Sequence, residues 1–135
     1  MDRISVLLAD DHADFLTVAA KFLEPEVRVL KSVGDGGAAV QETTRLDPDV
    51  LVLDISMPVL SGIEAARQLR SAGSRAKIVF LTVHDDPDFA RAALDAGAMG
   101  YVVKDRLASD LMEAIREAMA GHSFVSPTVR LDMAG

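Results

Sequence analysis

Asp10 and Asp11, Asp54, Thr82 and Lys104 each stand directly after a short apolar run. If those runs are neighbouring strands, their carboxyl ends gather three carboxylates, a hydroxyl and an ammonium group in one crevice. Two carboxylates about 4 Å apart repel by roughly 4 kcal/mol at an effective dielectric of 20, so three together call for protonation or a cation. Mg²⁺ meets that need, because it prefers oxygen ligands, keeps several waters and often completes its octahedron with phosphate oxygens. Lys104 would add a fixed positive charge and Thr82 a hydroxyl, so the set could hold a phosphoryl group. A carboxylate can attack phosphorus to form an aspartyl phosphate while metal and lysine stabilise the equatorial oxygens. Asp54 stands alone and is the candidate nucleophile, whereas the adjacent Asp10 and Asp11 are better placed to hold the metal.

The elements that must position them follow from hydrophobic periodicity. Strands are predicted at Ile4–Ala9, Val27–Val33, Val50–Leu53, Lys77–Leu81 and Gly100–Val103, alternating with amphipathic stretches in the manner of βα units. Helical stripes run through Phe15, Val18, Ala19, Phe22 and Leu23, through Ile63, Ala66 and Leu69, through Phe89, Ala92, Ala93 and Ala96, and through Leu107, Leu111, Ala114, Ile115 and Ala118. Each stripe is expected to face the sheet, with Gly97 and Gly121 at C-caps. Residues Gly36–Leu46 form the weakest helix, since two glycines and two threonines lower its propensity. The first, third and fourth runs are apolar at nearly every position, as central strands covered on both faces should be. Arg28 and Lys31 interrupt the second run and the fifth is very short, which makes both edge strands. The predicted fold class is therefore α/β, a doubly wound (βα)₅ domain with a parallel sheet of order 2-1-3-4-5, whose switch point lies between the first and third strands.

Composition narrows the function classes. The 135 residues suit one domain, 50% hydrophobic and 26% charged, and the net charge of −7 argues against a nucleic-acid surface on this chain. The absence of cysteine excludes disulfides, thiolate metal sites and cysteine nucleophiles. No stretch is long and apolar enough to span a bilayer and no signal peptide is apparent, so a cytoplasmic location is expected.

Ala9-Asp10-Asp11-His12, Leu53-Asp54-Ile55-Ser56-Met57-Pro58, Ser61-Gly62, Leu81-Thr82 and Gly100-Tyr101-Val102-Val103-Lys104 are each weak signals alone and strong in this order. Through them the chain resembles, along essentially its whole length, the receiver domain of bacterial two-component response regulators. The resemblance implies a flavodoxin-like, CheY-like domain that takes a phosphoryl group from a sensor histidine kinase onto Asp54, catalysing only its own phosphorylation and dephosphorylation. It implies that Asp11, Asp54 and the Ser56 carbonyl bind Mg²⁺ directly and Asp10 through water. Lys104 would pair with the phosphoryl group, and Thr82 and Tyr101 would form the switch, the tyrosine ring turning inward on phosphorylation. The run Ala120-Gly121-His122-Ser123-Phe124-Val125-Ser126-Pro127 resembles the end of receivers in the LuxR-type (NarL/FixJ) group of transcription regulators. That implies a receiver over residues 1–121 and, over 122–135, the start of a linker toward an absent C-terminal helix-turn-helix domain. Output would then pass by protein contact, through phosphorylation-dependent homodimer formation or docking of that DNA-binding domain.

Two positions depart from the family pattern. Asp105 follows the active lysine where many receivers have proline, and Val83 is bulkier than the Ala or Gly frequent beside the switch threonine. Met112 and Met119 lie off the stripe of the last helix and are expected on an output surface. His12, His84 and His122 share no ligand spacing and read as loop or surface residues, His84 being the one near the switch threonine. An aspartate-nucleophile phosphatase should show Asp-x-Asp, which Asp54-Ile55-Ser56 lacks. A flavodoxin-like cofactor domain needs a Ser/Thr/Gly phosphate cradle after the first strand, where Asp10-Asp11 would repel FMN.

Overall fold

Alternation along the strands decides the architecture. In the computed structural model, which describes residues 3–129, Ile4–Ala9 forms β1, Val27–Val33 β2, Val50–Leu53 β3, Lys77–Thr82 β4 and Gly100–Val103 β5. Because successive side chains point to opposite faces, Val6, Leu8, Val50, Val52, Val79, Leu81 and Val102 pack on one side of the sheet. Leu7, Ala9, Leu51, Leu53, Ile78, Phe80 and Val103 pack on the other. Helices α1 (Ala13–Leu23) and α5 (Leu107–Met119) cover the first face. The second is covered by α2 (Gly36–Leu46), α3 (Gly62–Ser71) and α4 (Pro87–Asp95). Strand pairing is parallel throughout.

The observed order is β2-β1-β3-β4-β5-β6, where β6 is Phe124–Val125. The core order matches the expected 2-1-3-4-5, but β5 is not an edge, because the segment after α5 returns to pair with it. Its shortness misled the edge assignment: all four residues of β5 are buried. The remainder of the expected linker, 130–135, lies outside the described residues.

The low-propensity helix α2 forms with tertiary help. The Asp35 carboxylate accepts from the Ala38 amide at 2.7 Å and caps it. Gly36 is required by packing, since a Cβ there would lie 1.8 Å from the Leu60 carbonyl oxygen. Gly97 and Gly121 follow the C-caps of α4 and α5 at φ 102° and 84°. In both, the six-to-one bond of a Schellman motif is made, Ala98 to Ala93 at 3.1 Å and His122 to Glu117 at 2.8 Å.

Three stripe and surface assignments need correction. Val18 is 56% exposed and turns from the sheet, because Phe15, Ala19, Phe22 and Leu23 already fill that side. Phe89 is 37% exposed and packs on a loop histidine instead of the sheet. Met112 is buried in the α1–α5 core and presents no partner surface, while Met119 is exposed.

Candidate functional site

The strand register delivers the acidic residues to one edge. Ala9 pairs with Leu53 across β1 and β3, and the Asp54 amide donates to the Ala9 carbonyl at 3.0 Å. Asp10 and Asp54 therefore leave adjacent strands side by side, at the crevice where strand order reverses. Both are almost fully buried, while Asp11 is exposed beside them. Ligand atoms of Asp10, Asp11, His12 and Asp54 all lie within 4.8 Å of one another.

Lys104, at the end of β5, reaches across to this cluster. Its Nζ stands 2.7 Å from Asp10 Oδ2 and 3.2 Å from Asp54 Oδ2, and lies over the Phe15 ring at 4.4 Å from the ring centre. Burial pulls the lysine pKa down, but the hydrogen bond to Asp10 and the Asp54 charge outweigh it, and the net shift is upward. The ammonium group thus stays charged where a phosphoryl group would sit. The other Asp54 oxygen, Oδ1, accepts from the Ile55 amide at 2.8 Å, which fixes the carboxylate plane.

Thr82 is fully buried at the end of β4, and its Oγ1 accepts from the His84 amide at 3.3 Å. Tyr101 is also fully buried, its hydroxyl donating to the His84 carbonyl at 2.8 Å. That is the inward position which the resemblance reserved for the phosphorylated state. Burial, then the charges of Asp54, Asp85 and Asp86, push the Tyr101 pKa up, so the hydroxyl remains a donor.

Two histidines belong to the site that spacing alone left as loop residues. His12 Nδ1 lies 3.1 Å from both Asp10 Oδ1 and Asp11 Oδ1. The only available signal was its place directly after the aspartate pair. His84 Nε2 and Ser56 Oγ are 2.9 Å apart, closing a bridge between the loops after β3 and β4, and the imidazole stacks on Phe89 at 4.4 Å. His122 Nδ1 lies 2.9 Å from Glu117 Oε2 on the surface, as expected. Val83 is 69% exposed and lines an open cleft with His12, Phe15 and Lys104, so its bulk stands at the entrance. No cis peptide occurs among the described residues, Lys104-Asp105 included.

The response regulator receiver domain family is matched over residues 6–116, most of the chain. This chain belongs to that family. The receiver domain is similar to the transcriptional regulatory protein DegU of Brevibacillus brevis, 34% identical over 130 residues, covering 95% of this chain and 55% of that protein. It is similar to the nitrate/nitrite response regulator NarP of Escherichia coli, 38% identical over 126 residues, covering 92% of this chain and 59% of NarP. The chain thus spans little more than half the length of these relatives. A crystal structure of a LuxR-family two-component response regulator from Aurantimonas superposes with a TM-score of 0.90 at 32% identity, over 95% of this chain and 93% of that one.

Receiver-domain residues Asp10, Asp11 and Asp54 present a hard, anionic oxygen donor set, which fits a divalent cation of the Mg²⁺ type. Asp11 is the exposed member and the one a hydrated ion would meet first. Among the described residues no helix is long and apolar enough to cross a membrane.

Proposed function

We propose that the domain is a phosphoacceptor, in which Asp54 takes a phosphoryl group from a sensor histidine kinase and the resulting change controls a DNA-binding domain. The observation that carries this reading is a buried carboxylate held 3.2 Å from a charged lysine, with the Asp10 and Asp11 carboxylates beside it. An Asp54 oxygen would attack phosphorus in line, the new O–P bond forming as the leaving group departs with the old bond's electron pair. The Lys104 contact to Asp54 is longer than that to Asp10, so the ammonium can yield Oδ2 to phosphorus and stay anchored by Asp10. It would then meet a phosphoryl oxygen. Asp11, Asp54 and the Ser56 carbonyl would hold Mg²⁺, with Asp10 acting through water. The bound ion would neutralise charge on the phosphoryl oxygens. No turnover of an outside substrate beyond this self-modification is proposed, and a cytoplasmic setting suits partnership with a kinase.

Acetyl phosphate provides the test. With Mg²⁺ the intact mass should rise by one phosphoryl group, and with EDTA it should not. Equal labelling in both would remove the metal from the mechanism.

The switch has a structural basis in the His84 backbone, whose amide bonds Thr82 and whose carbonyl accepts from Tyr101. A phosphoryl oxygen on Asp54 would offer the Thr82 hydroxyl a new acceptor and draw the β4–α4 connection with it. A ligand shifts a two-state equilibrium only through its differential interactions. Thr82→Ala should therefore still be phosphorylated but lose the NMR shift changes along β4, α4 and β5. A full wild-type response in that variant would refute the coupling. Output would follow by homodimer formation or by docking of a LuxR-type effector domain. With a net charge of −7, the domain itself would not hold DNA.

A further inference from the structure

The segment after α5 is built into the domain. In β6, Phe124 and Val125 pair with Gly100 and Tyr101, and the Ser126 amide donates to the Tyr101 carbonyl at 2.9 Å. The fully buried Ser126 hydroxyl donates to Asp110 Oδ2 at 2.8 Å and accepts from the Val103 amide at 3.2 Å. Asp110, 4% exposed, is held in turn by Arg106 at 2.7 and 3.2 Å. Buried polar groups are costly unless paired, and this set pairs fully only when Ser126 sits in one place. Val129 completes the docking: it is 6% exposed and belongs to the same apolar cluster as Tyr101, Phe80 and Ala90. Its neighbour Thr128 lines one cleft with Asp85 and Lys104.

We propose that Phe124–Val129 is a latch that reads the position of Tyr101 and passes the state of Asp54 to the residues that follow. The latch rests on the phosphoacceptor reading given above. Tyr101 touches it through strand pairing, a backbone hydrogen bond and the shared apolar cluster, so a shift of that residue must alter docking of the segment. With the ring inward, the latch is closed and Val129 is covered. Loading Asp54 favours the inward ring and so tightens the latch. Coupling is reciprocal: the factor by which loading favours the closed latch is the factor by which the closed latch favours loading, so loosening the latch weakens loading by at most that factor.

The test uses the whole chain with beryllofluoride and Mg²⁺ as the probe. Fluorine NMR reports loading, and amide hydrogen exchange read by mass spectrometry reports the latch. Loading should slow exchange across residues 122–129 by roughly tenfold. Ser126→Ala and, separately, Val129→Ala should speed that exchange and weaken beryllofluoride binding, by at most the factor with which loading slows exchange in the wild type, with loading still complete at saturation. Val129→Ala keeps every hydrogen bond of the segment, which guards against a folding defect peculiar to Ser126→Ala. Bound fluoride with unchanged or faster exchange in the segment, or wild-type beryllofluoride affinity in both variants, overturns the latch and leaves the phosphoacceptor reading standing. Absence of any bound fluoride signal removes that reading and the latch with it.

Discussion

Asp54→Asn is expected to abolish phosphorylation, leaving below about 1% of the wild-type mass gain from acetyl phosphate, because an amide oxygen is a poor nucleophile toward phosphorus. The substitution is nearly isosteric, keeps an acceptor for the Ile55 amide and leaves Lys104 its shorter bond to Asp10. The fold should therefore survive and the loss be chemical. Asp11→Ala separates metal from nucleophile. It keeps Asp54 but removes the exposed carboxylate of the cluster, and the Mg²⁺ concentration needed for half-maximal labelling should rise at least about tenfold. Intact mass spectrometry across a Mg²⁺ titration measures both. Unchanged labelling of Asp54→Asn would place the acceptor on another carboxylate and end the site assignment.

Gly62→Ala is expected to be strongly destabilising although it adds a single methyl group. A Cβ at this position would lie 1.9 Å from the carbonyl oxygen of Asp54 and 2.9 Å from its carbonyl carbon. The opposing atoms are backbone, and the Gly62 amide donates to the Ile55 carbonyl at 2.7 Å, so neither segment can step aside freely. Overpacking of this kind should cost about 3 kcal/mol and lower Tm by about 10 °C for a domain of this size. Because the clash bears on the peptide that carries the acceptor, labelling should fall as well. Gly73→Ala is the comparison: at φ 77° with open space around it, it meets only backbone strain, roughly 1–2 kcal/mol. Thermal denaturation followed by circular dichroism would rank them. A loss in Gly62→Ala no larger than in Gly73→Ala would mean the loop after β3 yields more easily than its hydrogen bonds imply.

The neighbouring turn shows how this loop is held. Val59 has φ 70°, an unusual value for a β-branched residue, and the Leu60 amide donates to the Pro58 carbonyl at 2.7 Å in a γ-turn. The same carbonyl accepts from Gly36 at 3.3 Å. Gly36 lets its backbone pass close to that of Leu60, and Gly62 lets its backbone pass close to that of Asp54 and Ile55. Nothing in the local sequence marks either residue for that purpose. Gly36 reads only as a weak helix former, because the reason for it lies in Leu60, distant along the chain.

The strands and the acidic edge were legible in the sequence because they rest on local physics. A run apolar at every position has two buried faces, and a polar residue ending such a run must emerge at the sheet's carboxyl edge, where Asp10, Asp54, Thr82 and Lys104 are found. The order of the motifs along the chain carried the family, since each motif is short and self-contained. What tertiary structure alone decided are contacts between residues far apart in sequence. The Ser56–His84 bridge, the shared use of the His84 backbone by Thr82 and Tyr101, and the burial of Met112 in the cluster beneath α1 and α5 depend on which loops and helices meet. The same holds for β6: two residues and a buried serine carry too little local signal to mark a strand. Their placement is determined by Asp110 and Arg106, on the far side of the turn that ends α5.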